Sequence, residues 1–132
     1  MARVKYTFLV GDVLFLLLLG GCQSKSTPVH PVSIVLFKVD ATHCNVSPGT
    51  PVTLSIQAHD VAAWSSRDQK YTVFFNLGSP FKRSDGGTMT SFPVIPGQVT
   101  QSPEPSFTGT FEYIILDPMS AQCKDPGLIV KP

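Results

Sequence analysis

Three histidines and three cysteines carry most of the chemical capacity of this 132-residue chain: His30, His43, His59, Cys22, Cys44 and Cys123. Imidazole and thiolate together suit copper or zinc, and either can serve a nucleophile–base pair. Their spacing suits neither task. No C-x-x-C pair is present. A copper site drawn from His43, Cys44, His59 and Met119 follows no ligand pattern and consumes a cysteine that has a simpler use. His59 adjoins Asp60, with Ser65 and Ser66 close by in sequence. A serine nucleophile needs a base held at hydrogen-bond distance, and no G-x-S-x-G turn is present to present one. His59 and Asp60 therefore read as exposed loop polars and His30 as solvated. No catalytic residue, metal or other cofactor is expected, and the chain is not expected to be an enzyme.

The N-terminus reads as a targeting segment. Arg3 and Lys5 precede an apolar run that ends at Gly20-Gly21 before Cys22, the order of a secretory signal. Asp12 interrupts the run, and what remains is shorter than the roughly 20 residues needed to span a bilayer. A charge there costs about 3 kcal/mol, which the six Leu and Phe side chains of Leu14 to Leu19 roughly offset at about 0.5 kcal/mol each. Leu19-Gly20-Gly21-Cys22 resembles the bacterial lipobox. That resemblance implies cleavage before Cys22 and attachment of acyl chains, palmitate among them, to its thiol. Gln23 at the next position resembles lipoproteins sorted to the outer membrane. Residues 1–21 are thus assigned to a signal peptide, and residues 22–31, "CQSKSTPVHP", to the lipidated cysteine and a polar tether. The expected location is the cell envelope, on its periplasmic side and lipid-anchored.

Residues 32–132 suffice for one domain. Losing Arg3, Lys5 and Asp12 leaves equal numbers of basic and acidic side chains. The lysines and arginines are scattered, which disfavours nucleic acid as a partner. With Cys22 used for lipid, Cys44 and Cys123 are two thiols in an exported chain, and a disulfide between them is expected.

The elements that must position these residues show period two. "PVTLSIQA" puts Val52, Leu54, Ile56 and Ala58 on one side, and "YTVFFNL" does the same for Tyr71, Val73, Phe75 and Leu77. "SIVLFKV", "TSFPVI", "TFEYIIL" and "GLIV" add further strands, separated by "SPGTP", "GSP", "SDGG", "IPGQ" and "DPG" turns. No long helix is predicted. The fold class is all-β, an antiparallel Greek-key β-sandwich. Trp64, Phe81, Phe92 and Phe107 are candidates for core positions or for a recognition patch.

"VSPGTPVTLSI", "KYTVFF" and "GTFEYIILDPM" followed by "GLIV" resemble the segment order of cupredoxins, the small sandwiches that carry blue copper. That family needs a histidine where Tyr71 stands and a cysteine where Ile115 stands. Only Met119 lies near a family ligand position. The resemblance thus implies the scaffold without its copper ligands, and an immunoglobulin-like sandwich fits the alternation equally well. The expected function is that of a non-catalytic module that binds another envelope protein or a small ligand. The alternative is a metal-handling or electron-transfer relative of the cupredoxins.

Overall fold

The computed structural model describes residues 27–119, 122–123 and 127–132. The signal segment and Cys22 lie outside these residues. Eleven strands follow in chain order: β1 (His30–Lys38), β2 (Cys44–Ser47), β3 (Val52–Ser55), β4 (Asp60–Ser66), β5 (Tyr71–Phe74), β6 (Ser91–Val94), β7 (Thr100–Gln101), β8 (Gly109–Phe111), β9 (Ile114–Leu116), β10 (Gln122–Cys123) and β11 (Leu128–Lys131). The chain is all-β, as expected, and folds as a β-sandwich.

One sheet has the order β2-β1-β4-β7, and the other side is built from β10-β9-β5-β6 and β3-β11-β8. Only Glu112 and Tyr113 separate β8 from β9, so the predicted "TFEYIIL" strand is broken in two and passes from one group of strands to the next. Antiparallel pairs predominate, but β1 runs parallel to β4 over seven residues, from His30↔Asp60 to Leu36↔Ser66. The last strand, β11, runs parallel to β3.

Alternation places the side chains where it was clean. Val52 and Leu54 are buried while Thr53 is exposed, and Tyr71, Val73 and Phe75 point inward while Phe74 points out. It fails where strands stop early. Residues 56–59 form a turn, which leaves Ala58 exposed, and β5 ends at Phe74, which leaves Leu77 77% exposed. The strand β4 is missing from the sequence reading because "DVAAW" is buried at every position, and a doubly covered central strand shows no period of two. β1 begins at His30, so His30 and Pro31 belong to the sheet and not to the tether.

Trp64, on β4, fills the space between the sheets. Its ring centroid lies 4.9 Å from that of Phe92, 6.2 Å from Tyr113 and 6.3 Å from both Phe75 and Phe81. Most of these pairs meet edge to face, the arrangement favoured by the ring quadrupole. Trp64, Phe81 and Phe92 are thus core residues, while Phe107 is 45% exposed.

The expected disulfide is formed. Cys44 on β2 and Cys123 on β10, 79 residues apart with Cα atoms at 4.7 Å, join the edge of one sheet to the edge of the other. Loop closure of this length is worth about 4.5 kcal/mol in the chain-entropy model, and removal of a native bridge from a small secreted domain costs about 2–5 kcal/mol. Cys44→Ser is therefore expected to lower stability within that range in a urea titration followed by far-ultraviolet circular dichroism. An unchanged midpoint would refute a structural role for the bridge.

Candidate functional site

Because β1 and β4 run side by side, the domain has two distinct ends. One holds His30, where the chain enters. The other, the distal end, holds the last residues of both strands and the loop 67–70 that leads into β5.

At the distal end the side chains that the cupredoxin pattern would devote to copper do other work. Tyr71 is buried opposite Val94. Its hydroxyl donates to Asp68 Oδ1 at 2.8 Å. Burial, reinforced by the Asp68 carboxylate, pushes the phenol far above its ordinary value, so it remains a donor. Asp68 Oδ2 accepts the Lys38 backbone N–H at 2.6 Å, and Oδ1 also accepts the N–H of Gln69 at 2.8 Å. Desolvation alone would raise the Asp68 carboxyl. The hydrogen bonds from Lys38, Tyr71 and Gln69 outweigh it and hold the group below the usual carboxylate range. One carboxylate thus ties the end of β1, the loop and the start of β5 together.

The remaining candidates are equally committed. Ile115 is fully buried, paired with Val73. His43 Nδ1 lies 2.8 Å and 2.9 Å from the two Asp40 carboxylate oxygens. Asp40 also accepts the backbone N–H groups of Thr42 and His43 in the β1–β2 turn. The Thr42 N–H first, then the His43 side chain, lower its pKa to about 2. Cys44 and Cys123 are consumed by their bridge. Met119 is 85% exposed, and its N–H donates to Asp117 Oδ1 at 2.9 Å. Blue copper needs a thiolate and two imidazoles on one ion. The residues at this end do not fit that group, and among the described residues no cluster of three or more His, Cys, Asp or Glu could hold a metal.

Four apolar side chains are exposed in the turns at this end, among polar residues such as Asp40, His43 and Lys70. Val39 follows Lys38 in the β1–β2 turn, Ile95 and Val99 lie in the turn after β6, and Met119 follows β9. They are 60%, 41%, 61% and 85% exposed. A shallow cleft of about 240 Å³ opens beside Met119, lined by Lys70, Tyr71, Thr72, Leu116, Asp117 and Pro118.

The entry end carries two histidine–carboxylate pairs. His30 Nδ1 lies 2.7 Å from Asp60 Oδ1, and Asp60 Oδ2 accepts the Ser55 N–H at 2.9 Å. His59, at φ 58°, places Nδ1 2.5 Å from Glu104 Oε1. Asp60 is therefore not the exposed loop polar expected from sequence. It is only 8% exposed, because its register position opposite His30 puts it inside the sheet. Its partner His30 remains solvated, with its side chain 72% exposed. Ser65 and Ser66 stand at the far end of β4, and the Ser66 hydroxyl donates to the Gln69 carbonyl oxygen. Among the described residues neither serine pairs with a histidine. Sequence reasoning missed the Asp68 and Asp60 networks. Asp68 three residues before Tyr71 was the local signal for the first, while the second depends on strand register.

No known protein family matches the chain, and no curated protein matches it. Among solved structures, one chain from "Cryo-EM structure of a heme-copper terminal oxidase dimer provides insights into its catalytic mechanism" is similar to it at 12% identity and a TM-score of 0.48, covering 98% of this chain and 100% of that one.

The Asp60 network has a pH signature. The Ser55 N–H, then His30, hold the Asp60 carboxyl below its ordinary value. A depressed carboxylate contributes stability above its unfolded pKa near 4 and loses it as pH falls through the lower folded value. Asp60→Asn is expected to cost about 1.5–3 kcal/mol at pH 7, with the difference from the unaltered protein shrinking below pH 4. A pH-independent difference in chemical denaturation would contradict this account.

Proposed function

We propose that this chain is a lipid-tethered, non-catalytic binding module of the bacterial envelope, anchored through Cys22 and docking another envelope protein with its distal end. The observation that carries this reading is the apolar rim of Val39, Ile95, Val99 and Met119, contributed by three separate turns around a rigid hydrogen-bonded centre. Soluble monomers scatter exposed apolar residues singly, whereas a group gathered on a fixed frame suits an interface. The frame is preorganised: Asp68 fixes the ends of two strands, so little ordering entropy remains to oppose binding. The Asp68 carboxylate and the Tyr71 hydroxyl inside it are engaged with each other and with backbone N–H groups, which favours recognition by contact over chemistry. Sorting to the outer membrane rests on Gln23 following the lipidated residue.

Two measurements test the proposal. Mass spectrometry of the mature N-terminus is expected to give an acylated Cys22, and Cys22→Ser is expected to release the protein from membranes. An unmodified terminus refutes the anchor. A photoreactive side chain in place of Met119, in the intact envelope, is expected to give one discrete protein adduct that Val99→Asp suppresses. The same probe at exposed Thr53 on β3 is expected to give none. Equal yields from both positions, or no adduct from either, would refute the docking end.

A further inference from the structure

The end of the domain opposite the apolar rim combines the chain entry with a second set of exposed apolar side chains. Its loops are joined in sequence by specific contacts. The His30 N–H donates to the His59 carbonyl oxygen at 2.8 Å, and His59 holds Glu104. Beyond Glu104, Pro105 bridges to Phe81, and the Ser106 N–H donates to the Pro80 carbonyl oxygen at 2.8 Å. Phe107 follows directly, and Leu77 precedes the same Pro80 segment. From the other side, Gly109 on β8 pairs with Val130 on β11. That strand ends beside Ser55, whose hydroxyl donates to the Pro132 carbonyl oxygen at 3.0 Å. Leu77, 77% exposed, and Phe107, 45% exposed, are thus presented at the end where the tether arrives. Val29, the last residue before β1, is 45% exposed as well.

We infer that this end rests on the lipid surface, with Leu77 and Phe107 entering the boundary between headgroups and acyl chains and Lys82 meeting lipid phosphate. The inference rests on the proposed lipid anchor at Cys22. Seven residues lie between Cys22 and His30, so the eight chain steps from one to the other reach at most about 26 Å at about 3.3 Å per residue. It cannot carry the domain far from the bilayer, and the end facing the membrane is the one where the tether joins it. The side chains there have the right chemistry. The Lys82 ammonium sits 5.1 Å from the centroid of the Phe107 ring, pairing a cation with an apolar ring at one spot. Such a pair suits an interface, where a ring enters about 5–10 Å into the boundary region while the lysine remains at headgroup level. Of the acids at this end, Glu104 is engaged by His59, and Glu112 lies beside Leu77 in a cleft lined also by Gly78, Thr110 and Phe111. Lys131, exposed at the end of β11, adds a second cation.

The test uses the mature lipidated protein in vesicles of phosphatidylglycerol and acyl-chain-brominated phosphatidylcholine. Leu77→Trp and Phe107→Trp each add an indole at an exposed position. Met119→Trp adds one at the distal end, and the buried Trp64 supplies the background emission. Bromine is expected to quench the added emission at positions 77 and 107 and to leave position 119 as bright as in unbrominated vesicles. Absent quenching at 77 and 107, or equal quenching at 119, with acylated Cys22 confirmed by mass, overturns this inference and leaves the anchor standing. A chain whose Cys22 carries no acyl group overturns the anchor and this inference together.

Discussion

The parallel pairing of β1 with β4 is the constraint on which the rest of the domain depends. Seven consecutive register positions align the first residue of one strand with the first of the other and the last residue of β4, Ser66, with Leu36, two residues before β1 ends. This pairing fixes two separate ends. At the first, it sets His30 against Asp60 and so creates a buried carboxylate that also holds the turn of β3. At the second, it brings Lys38 beside the loop that carries Asp68, and through Asp68 it positions Tyr71. A slip by one residue would turn every side chain of β1 to the opposite face. Ile34 and Leu36, both fully buried, would then move to the outer face.

The two halves of the sandwich are held by different means at different heights. Midway, the aromatic rings around Trp64 supply apolar burial and edge-to-face contacts. Near the distal end the Cys44–Cys123 bridge joins two sheet edges, and the Asp68 network closes the space between the strands with satisfied hydrogen bonds. Removing one donor from this network loses a hydrogen bond to a charged acceptor, although the exposed Asp68 carboxylate can turn to water in its place. The outcome is an end tied together by hydrogen bonds, with apolar side chains at its margin.

Much of this was legible in the sequence. Alternation in "PVTL" and "YTVFF" gave the strands and their inward faces, and the reading of the chain as exported gave the expectation of the Cys44–Cys123 bridge. Tyr71 and Ile115 stand where the cupredoxin resemblance would need histidine and cysteine, and in the structure one buries a ring and anchors Asp68 while the other fills the core. What could not be read follows from long-range geometry. β4 lacks a period because neighbours cover both its faces. Asp60 looked like a loop polar because its partner lies 30 residues away. The two sets of exposed apolar residues were invisible because only the strand pairing places the turns that carry Val39, Ile95, Val99 and Met119 at one end. Leu77 continued a strand pattern that the backbone abandons at Phe74.

The central claim is that the distal end works by contact and not through a bound metal. It is tested most directly by titrating Cu(II) into the disulfide-intact mature protein while recording visible absorption and thermal stability. The account predicts no intense thiolate-to-copper band and no stabilisation beyond that of a variant in which His43 is replaced by alanine. A strong visible band at one copper per chain, with the stabilisation of about 2.7 kcal/mol expected for a ligand at 100 times its dissociation constant, would contradict it.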